Sequence, residues 1–356
     1  LQRKTETDTR FRWGIWGTGT IAAAFASDIQ ASADMRVAAV CSRSADKAEA
    51  FRARIGADMA FDNADAFLAS PEIDAIYIAS PNAQHVAQTL QAIAAGKPCL
   101  TEKPLSLDAE GARQVAAASK ARNVFAMEAM WSRFLPAIAA AKRHIETGTI
   151  GKVTRIEADL SYFRPEDPQS RFFDPAAGGG AAFDLGVYPI SLALHFLGLP
   201  QQVAGSWQRA KSGVDTRTEI ALTYPGATAQ LSCGFDRDGD NQMLIEGTNG
   251  ALLIHAPFLK AQRLTVFSGK ALHSPLGPQS RLASGPLGRI ANRLPLPGRR
   301  IEHHSFAGNG LQFEAQAVRD AVRNGETSSA VMPLDHSEAV ARIVNTVLSQ
   351  PPRNGG

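Results

Sequence analysis

Hydrophobic positions in the first 130 residues follow two alternating periods. Short continuous apolar runs, "FRWGIWG" (11–17), "MRVAAVCS" (35–42), "IDAIYIAS" (73–80), "CLTEK" (99–103) and "VFAME" (124–128), predict buried strands. The segments 20–32, 45–56, 83–95 and 108–122 between them have helical spacing, with Ile21, Phe25 and Ile29 four apart. Continuous apolar strands separated by helices predict a parallel sheet covered on both faces.

The pattern then changes. A helix over 134–147 closes at Gly148, and strands dominate from Val153: 153–162, 203–209, 218–224, 227–235, 242–247 and 250–255. "YPGAT" and "EGTNGA" supply hairpin turns, and "TAQLSCGF" alternates as a sheet with one covered face does. Helices are expected around 184–197, 310–323 and 335–349. The fold class is therefore α/β plus α+β: an N-terminal parallel sheet, then an open, mostly antiparallel sheet with helices on one face. The expected divisions are a flexible tail over 1–10, a first domain over 11–131 and a second over 132–350.

Bulk numbers narrow the class without choosing a function. A length of 356 residues suits two domains, and 44% hydrophobic with 20% charged residues suits a globular core. No apolar run is read as reaching the ~20 residues that cross a bilayer, so no membrane partner is expected. The polar start, "LQRKTETDTRFRW", lacks an apolar signal core. A net charge of +3 gives no reason to expect nucleic acid. The arginine-rich stretch 281–300 reads as a solvated loop or an oligomer contact, and 270–300 as the least ordered part. Cys41, Cys99 and Cys233 are far apart and form no CxxC or His/Cys cluster. No metal site or disulfide is expected; buried thiols in a reducing cytoplasm are.

The first strand-to-helix turn holds the first candidate chemistry. "GTGTIA" places Gly17, Gly19 and Ala22 in a G-x-G-x-x-A pattern, with Thr18, Thr20 and Ile21 between them. Gly17 permits the tight turn, Gly19 lets backbone approach a pyrophosphate, and Ala22 lets helix and strand pack closely. Phosphates then meet free N–H groups at a helix N-terminus. The second strand ends in Ser42 and Arg43, with Lys47 one turn on, where an NAD site would carry an acid. Arginine can bind a 2′-phosphate that an acid would repel, so NADP is expected over NAD. Ser80, Pro81 and Asn82 turn at the carboxyl edge of the third strand, and His85 opens the next helix, as either a surface or capping histidine or a ligand contact.

These blocks resemble the glucose-fructose oxidoreductase/inositol dehydrogenase (Gfo/Idh/MocA) family. The likeness runs through "GTGTIA", "SPNAQH", "AGKPCLTEKPLS", "MEAMWSRFLP", "GTIGKV", "AGGGAAFDLGVYPI" and "NGLQFEAQAVRDAVRNGE...MPLDHS". "MEAMWSRFLP" and "DLGVYP" are most similar to the branch of dihydrodiol dehydrogenases and NADP-dependent D-xylose dehydrogenases. The resemblance implies a Rossmann domain followed by a substrate and oligomerisation domain. It implies hydride transfer between NAD(P) and a sugar, polyol or diol, and homo-oligomers formed through the second sheet. It makes Lys103 the lysine at nicotinamide and substrate, with Asp184 and Tyr188 as the D-x-x-x-Y pair and tyrosine the acid/base. It puts Trp131 and Arg133 in a block lining the cofactor–substrate cleft, and Glu102 beside Lys103. Two departures stand out: 270–300 has no family counterpart, and "RFFDPAAGGG" displaces Arg171 from the tryptophan–arginine pair of many relatives.

The chemistry of these residue types is coherent. A phenol with pKa near ~10 is a poor base at neutral pH, and an ammonium favours its phenolate. Lysine can supply that charge. Asp184 and Tyr188, four apart, share one face of a helix that starts near the aspartate. Glu102 reads as support for Lys103, and Pro104 as the turn that aims it, with a cis Lys103–Pro104 bond expected. Two other readings remain: an enzyme that holds and recycles its cofactor, and a cofactor-binding regulator without turnover.

Overall fold

Six strands, all fully parallel, form the first sheet of the computed structural model, which describes residues 9–269 and 297–353. They are β1 (Phe11–Trp16), β2 (Met35–Cys41), β3 (Met59–Phe61), β4 (Ala75–Ile78), β5 (Cys99–Glu102) and β6 (Ala126–Ala129). Their order is β3-β2-β1-β4-β5-β6. Between them run α1 (Thr20–Gln30), α2 (Ala45–Ile55), α3 (Ala64–Ala69), α4 (His85–Ala94) and α5 (Ala109–Arg122). Strand order reverses between β1 and β4, and in such sheets ligands bind where the carboxyl ends part. Buried Trp13 meets Phe25 edge-on at 5.2 Å, and Phe25 stacks on Tyr77 at 3.8 Å, joining α1 to β1 and β4. Side chains of Ser44 and Asn63 cap α2 and α3. The sequence pattern does not announce β3 and α3, because three and six residues are too few for a period to register.

The second sheet has eight strands: β7 (Val153–Ser161), β8 (Gln202–Arg209), β9 (Asp215–Tyr224), β10 (Ala227–Gly234), β11 (Met243–Gly247), β12 (Gly250–Ile254), β13 (Arg263–Ser268) and β14 (Arg299–His303). Their order is β14-β13-β12-β11-β7-β10-β9-β8. The β7–β10 pair is parallel and every other pairing is antiparallel, so the expected mostly antiparallel sheet is present. β13 and β14 extend it beyond the expected strands. α6 (Pro136–Glu146) packs on β12 and β13, and α7 (Val187–Leu197) on β7 and β10. The expectation that no run is long and apolar enough to span a membrane is corrected. The stretch Pro175–Leu197, most of it the helix that ends in α7, reaches a mean hydropathy of 1.3 over such a window. It is 83% buried, as a core helix is, which explains its composition without a bilayer.

Two further helices follow, α8 (Leu311–Arg323) and α9 (Leu334–Leu348). By contacts the chain divides into two compact units. One holds the chain through Leu105 with Arg113–Ala129 and Gly308–Ala330; the other holds Ser106–Ala112, Met130–Ala307 and the remainder from Val331. Residues 308–330, assigned from sequence to the second domain, thus belong with the first sheet. Buried Asp28 on α1 accepts the N–H groups of Asn309 and Leu311 at 3.0 Å or less, capping α8 from far along the chain. α9 stays with the second unit and packs on α7 and β8. The expected tail over 1–10 and the segment 270–300 lie largely outside the described residues.

Candidate active site

Within the first unit, the loop after β1 is shaped to let something approach its backbone. Gly17 has φ +125°, and a Cβ there would lie 2.5 Å from the Ala79 carbonyl oxygen, so only glycine fits between β1 and β4. Its N–H donates to Cys41 O at 3.0 Å. A Cβ on Gly19 would meet nothing within 4 Å, so the loop's outer side is open. No side chain caps α1, which leaves its first N–H groups available to an anion. Ala22 is fully buried, as close helix–strand packing requires; Thr18 is half-buried, and Thr20 and Ile21 are exposed at the helix start. At the end of β2, Ser42 N–H donates to Phe61 O, Arg43 and Lys47 are exposed, and no acid occupies 42–44. These features fit a dinucleotide with its pyrophosphate at α1. Ser80 Oγ donates to Gln88 Oε1 at 2.6 Å, and Asn82 opens a short 3-10 turn.

The turn after β5 is held group by group. The Lys103–Pro104 bond is cis, as expected. Buried Glu102 accepts the Lys103 N–H at 3.1 Å through Oε2 and the Tyr77 hydroxyl through Oε1. Glu128 Oε1 accepts the Leu105 N–H at 2.9 Å. His85 is 1% exposed, neither a surface nor a capping residue: its Nδ1 lies 2.8 Å from Pro104 O and its Nε2 2.8 Å from Ser80 O. It therefore ties the turns ending β4 and β5. Burial pulls its pKa down, the two carbonyl oxygens pull it up, and Lys103 pulls it down again. Burial pushes the Glu102 carboxyl up, opposed by Tyr77 and Lys103. Glu314, wholly buried on α8, is pushed well above the carboxylate range by burial and by Glu102 and Glu128. Glu102, as the support reading expects, and His85 both hold the turn after β5. Tyr77, Glu128 and Glu314 were not anticipated, since an acid or a tyrosine in an apolar run carries no local signal of a partner.

Within the second unit, a π-helical turn (Ala182–Gly186) runs directly into α7. Asp184 sits in that turn and Tyr188 in the first turn of α7, so the plain α-helical face expected for the pair is widened by the π geometry. Asp184 lies inside the helical run and is not its N-cap. Such turns are rare and concentrate at functional sites. The indole Nε1 of Trp131 donates to the Tyr188 hydroxyl at 3.0 Å. Tyr188 is 7% exposed, so its side chain is largely withdrawn from water. Arg133, expected beside the cofactor, is 1% exposed. It donates to Ser191 Oγ and O at 2.8 and 2.6 Å and to Val331 O at 2.8 Å, with His336 Nδ1 at 3.0 Å. It is a strut between α7 and the start of α9. Arg171 is exposed and stacks on Phe172 at 4.2 Å. Asp215, unremarked in the sequence, accepts the Ala182 N–H at 2.8 Å from the start of β9.

All three cysteines are free and buried, and no group of three metal-ligating side chains occurs among the described residues. Residues 11–130 match an oxidoreductase family with an NAD-binding Rossmann fold, and residues 138–253 match the GFO/IDH/MocA C-terminal domain. The chain is 29% identical over 338 residues to trans-1,2-dihydrobenzene-1,2-diol dehydrogenase of Mus musculus, covering 94% of each. It is 29% identical over 378 residues to D-xylose 1-dehydrogenase (NADP(+)) of Hypocrea jecorina, covering 95% of this chain and 91% of that one. A 3-ketoreductase from Actinomadura kijaniata, solved with NADP and TDP-benzene, has a TM-score of 0.76 at 24% identity, covering 95% of this chain and 97% of that one.

Proposed function

The chain belongs to the Gfo/Idh/MocA oxidoreductase family, and on that premise we propose an NADP-dependent enzyme that moves hydride between nicotinamide and an aldose or small vicinal diol. The observation that carries the cofactor choice is the end of β2, where exposed Arg43 stands in place of an acid. A guanidinium there suits a 2′-phosphate, and Lys47 adds a second positive charge. The D-xylose dehydrogenase relative, named for NADP(+), supports the same choice.

When bound, the cofactor supplies the hydride acceptor at its nicotinamide ring. The chain's own residues manage the proton. In oxidation, the carbinol O–H bond breaks and its proton passes to the Tyr188 oxygen as the carbon gives up hydride and becomes a carbonyl carbon. The reverse reaction returns that proton to the alkoxide. Trp131, by donating to the Tyr188 hydroxyl, stabilises negative charge on that oxygen and favours its base form. Lys103 is assigned the ammonium role by its place in the family motif: favouring phenolate and stabilising a developing alkoxide. Asp184 is assigned the partner role of the D-x-x-x-Y pair. The thiols fit a reducing compartment, and a cytoplasmic location with assembly through the second sheet completes the reading.

The test is a panel of aldoses, polyols and diols with NADP and with NAD, followed by nicotinamide absorbance. Turnover with an aldose or diol and a preference for NADP is expected. Binding of NADP without turnover on any member would overturn the enzymatic assignment. Cofactor that survives gel filtration would favour a recycling mechanism.

A further inference from the structure

The helical run that carries Asp184 and Tyr188 begins without a cap of its own. No side chain near Ala181 bonds its first N–H groups. An uncapped start leaves buried donors unsatisfied, and a π turn is already less favourable than α-helix. The missing acceptor comes from another element. Asp215, at the first position of β9 and 2% exposed, accepts the Ala182 N–H through Oδ2 at 2.8 Å. The same oxygen accepts the Thr218 hydroxyl at 2.7 Å, which fixes the carboxylate's rotation. Its other oxygen lies against Gly180: a Cβ there would sit 2.3 Å from Oδ1, and the glycine has φ +115°. The third glycine of the "GGG" run is therefore what allows the carboxylate to reach the start of the helix.

We propose that Asp215 is a positioning residue for the proton chemistry of this family's reaction: its ionised carboxylate anchors the start of the π turn and thereby fixes Asp184 and Tyr188. The role rests on the assignment of Tyr188 as acid/base. Burial pushes the Asp215 carboxyl up to about 6, opposed by the bonds from Thr218 and Ala182. Its bonded partners are Thr218 on its own strand and Ala182 on the turn, and Cys233 on β10 is its charge-coupled neighbour; the Cys233 thiol is pushed up by burial and by Asp215, Asp159 and Asp184. Protonation near pH 6 weakens the acceptor, so turnover falls as pH drops through that value.

Two variants and two readouts test this. In Asp215→Ala, amide hydrogen exchange over 182–188 should quicken about 10-fold or more while β7 and β10 stay protected, and kcat should fall about 10- to 100-fold with NADP affinity unchanged. Asp215→Asn keeps an acceptor oxygen; it should restore most of the protection and of kcat, and should lack the acidic limb of the kcat–pH profile. If the alanine variant does not fold, the isosteric asparagine carries the test through that profile. Unchanged exchange in Asp215→Ala, or an acidic limb that survives in Asp215→Asn, overturns the anchor. Exchange needs no substrate, so quickened exchange with unchanged kcat upholds the anchor and overturns the role given to Tyr188.

Discussion

Lys103, in the first unit, leaves β5 through a turn whose N–H groups are taken by Glu102 and Glu128 at neighbouring strand ends, and whose Pro104 carbonyl is met by His85. Asp184 and Tyr188, in the second unit, sit on a helix start supported by Asp215, 33 residues beyond Ala182, and by Trp131, 57 residues before the tyrosine. Parallel βα units bring consecutive strand ends together at one edge, so turns there find partners among the neighbouring ends. The mixed sheet has no such edge, and its helix start borrows a cap across the fold. The first arrangement suits binding a constant cofactor. The second leaves Asp184 and Tyr188 dependent on a few distant side chains.

Four experiments sharpen or break this contrast. The largest effect is expected for Tyr188→Phe: kcat should fall about 10²–10⁴-fold, with NADP affinity held within about threefold, by steady-state kinetics and cofactor titration. A matching loss of NADP affinity would erase the division of labour. Next is stability against pH. The unfolded Asp215 carboxyl ionises near its ordinary 3.8 and the folded one near 6. The native chain therefore holds that proton more tightly, and stability falls as pH rises, by about 3 kcal/mol in all, most of it between about pH 4 and 6. Denaturant titrations should show this slope in the parent and lose it in Asp215→Asn. Third, Arg43→Glu should lower kcat/KM with NADP about 100-fold while leaving kcat at saturating cofactor little changed. An equal loss with NAD would remove the basis for the cofactor choice. The smallest effect is that of Trp131→Phe, which deletes one hydrogen bond to the Tyr188 hydroxyl. About 1 kcal/mol, or roughly fivefold in kcat, is expected. An unchanged kcat would mean the indole does not tune the phenol.

Legibility in the sequence follows the same contrast. The turn at Gly17 was readable because its positive φ is a local demand that the G-x-G-x-x-A pattern announces; the close approach of Ala79 at the end of β4, which also excludes a Cβ, was not. The cis bond before Pro104 was likewise local. The roles of Arg133 and His85 were not readable. Nothing near Arg133 in the chain says that its guanidinium will be spent on Ser191 and Val331. Nothing near His85 says that both ring nitrogens will face carbonyl oxygens. The π turn escaped notice because "AFDLG" has the composition of an ordinary apolar helix.

By itself the sequence determined the alternation that makes the first sheet parallel, the glycine that the β1 turn cannot do without, and the chemical kinds of Lys103, Asp184 and Tyr188. The tertiary structure decided which charged groups support and which remain half-buried, that burial pushes the Glu102, Glu314 and Asp215 carboxyls up, and what caps the helix bearing the tyrosine. The reason is physical: turn geometry is set by adjacent residues, whereas burial, local dielectric and hydrogen-bond partners are set by whatever the fold brings alongside.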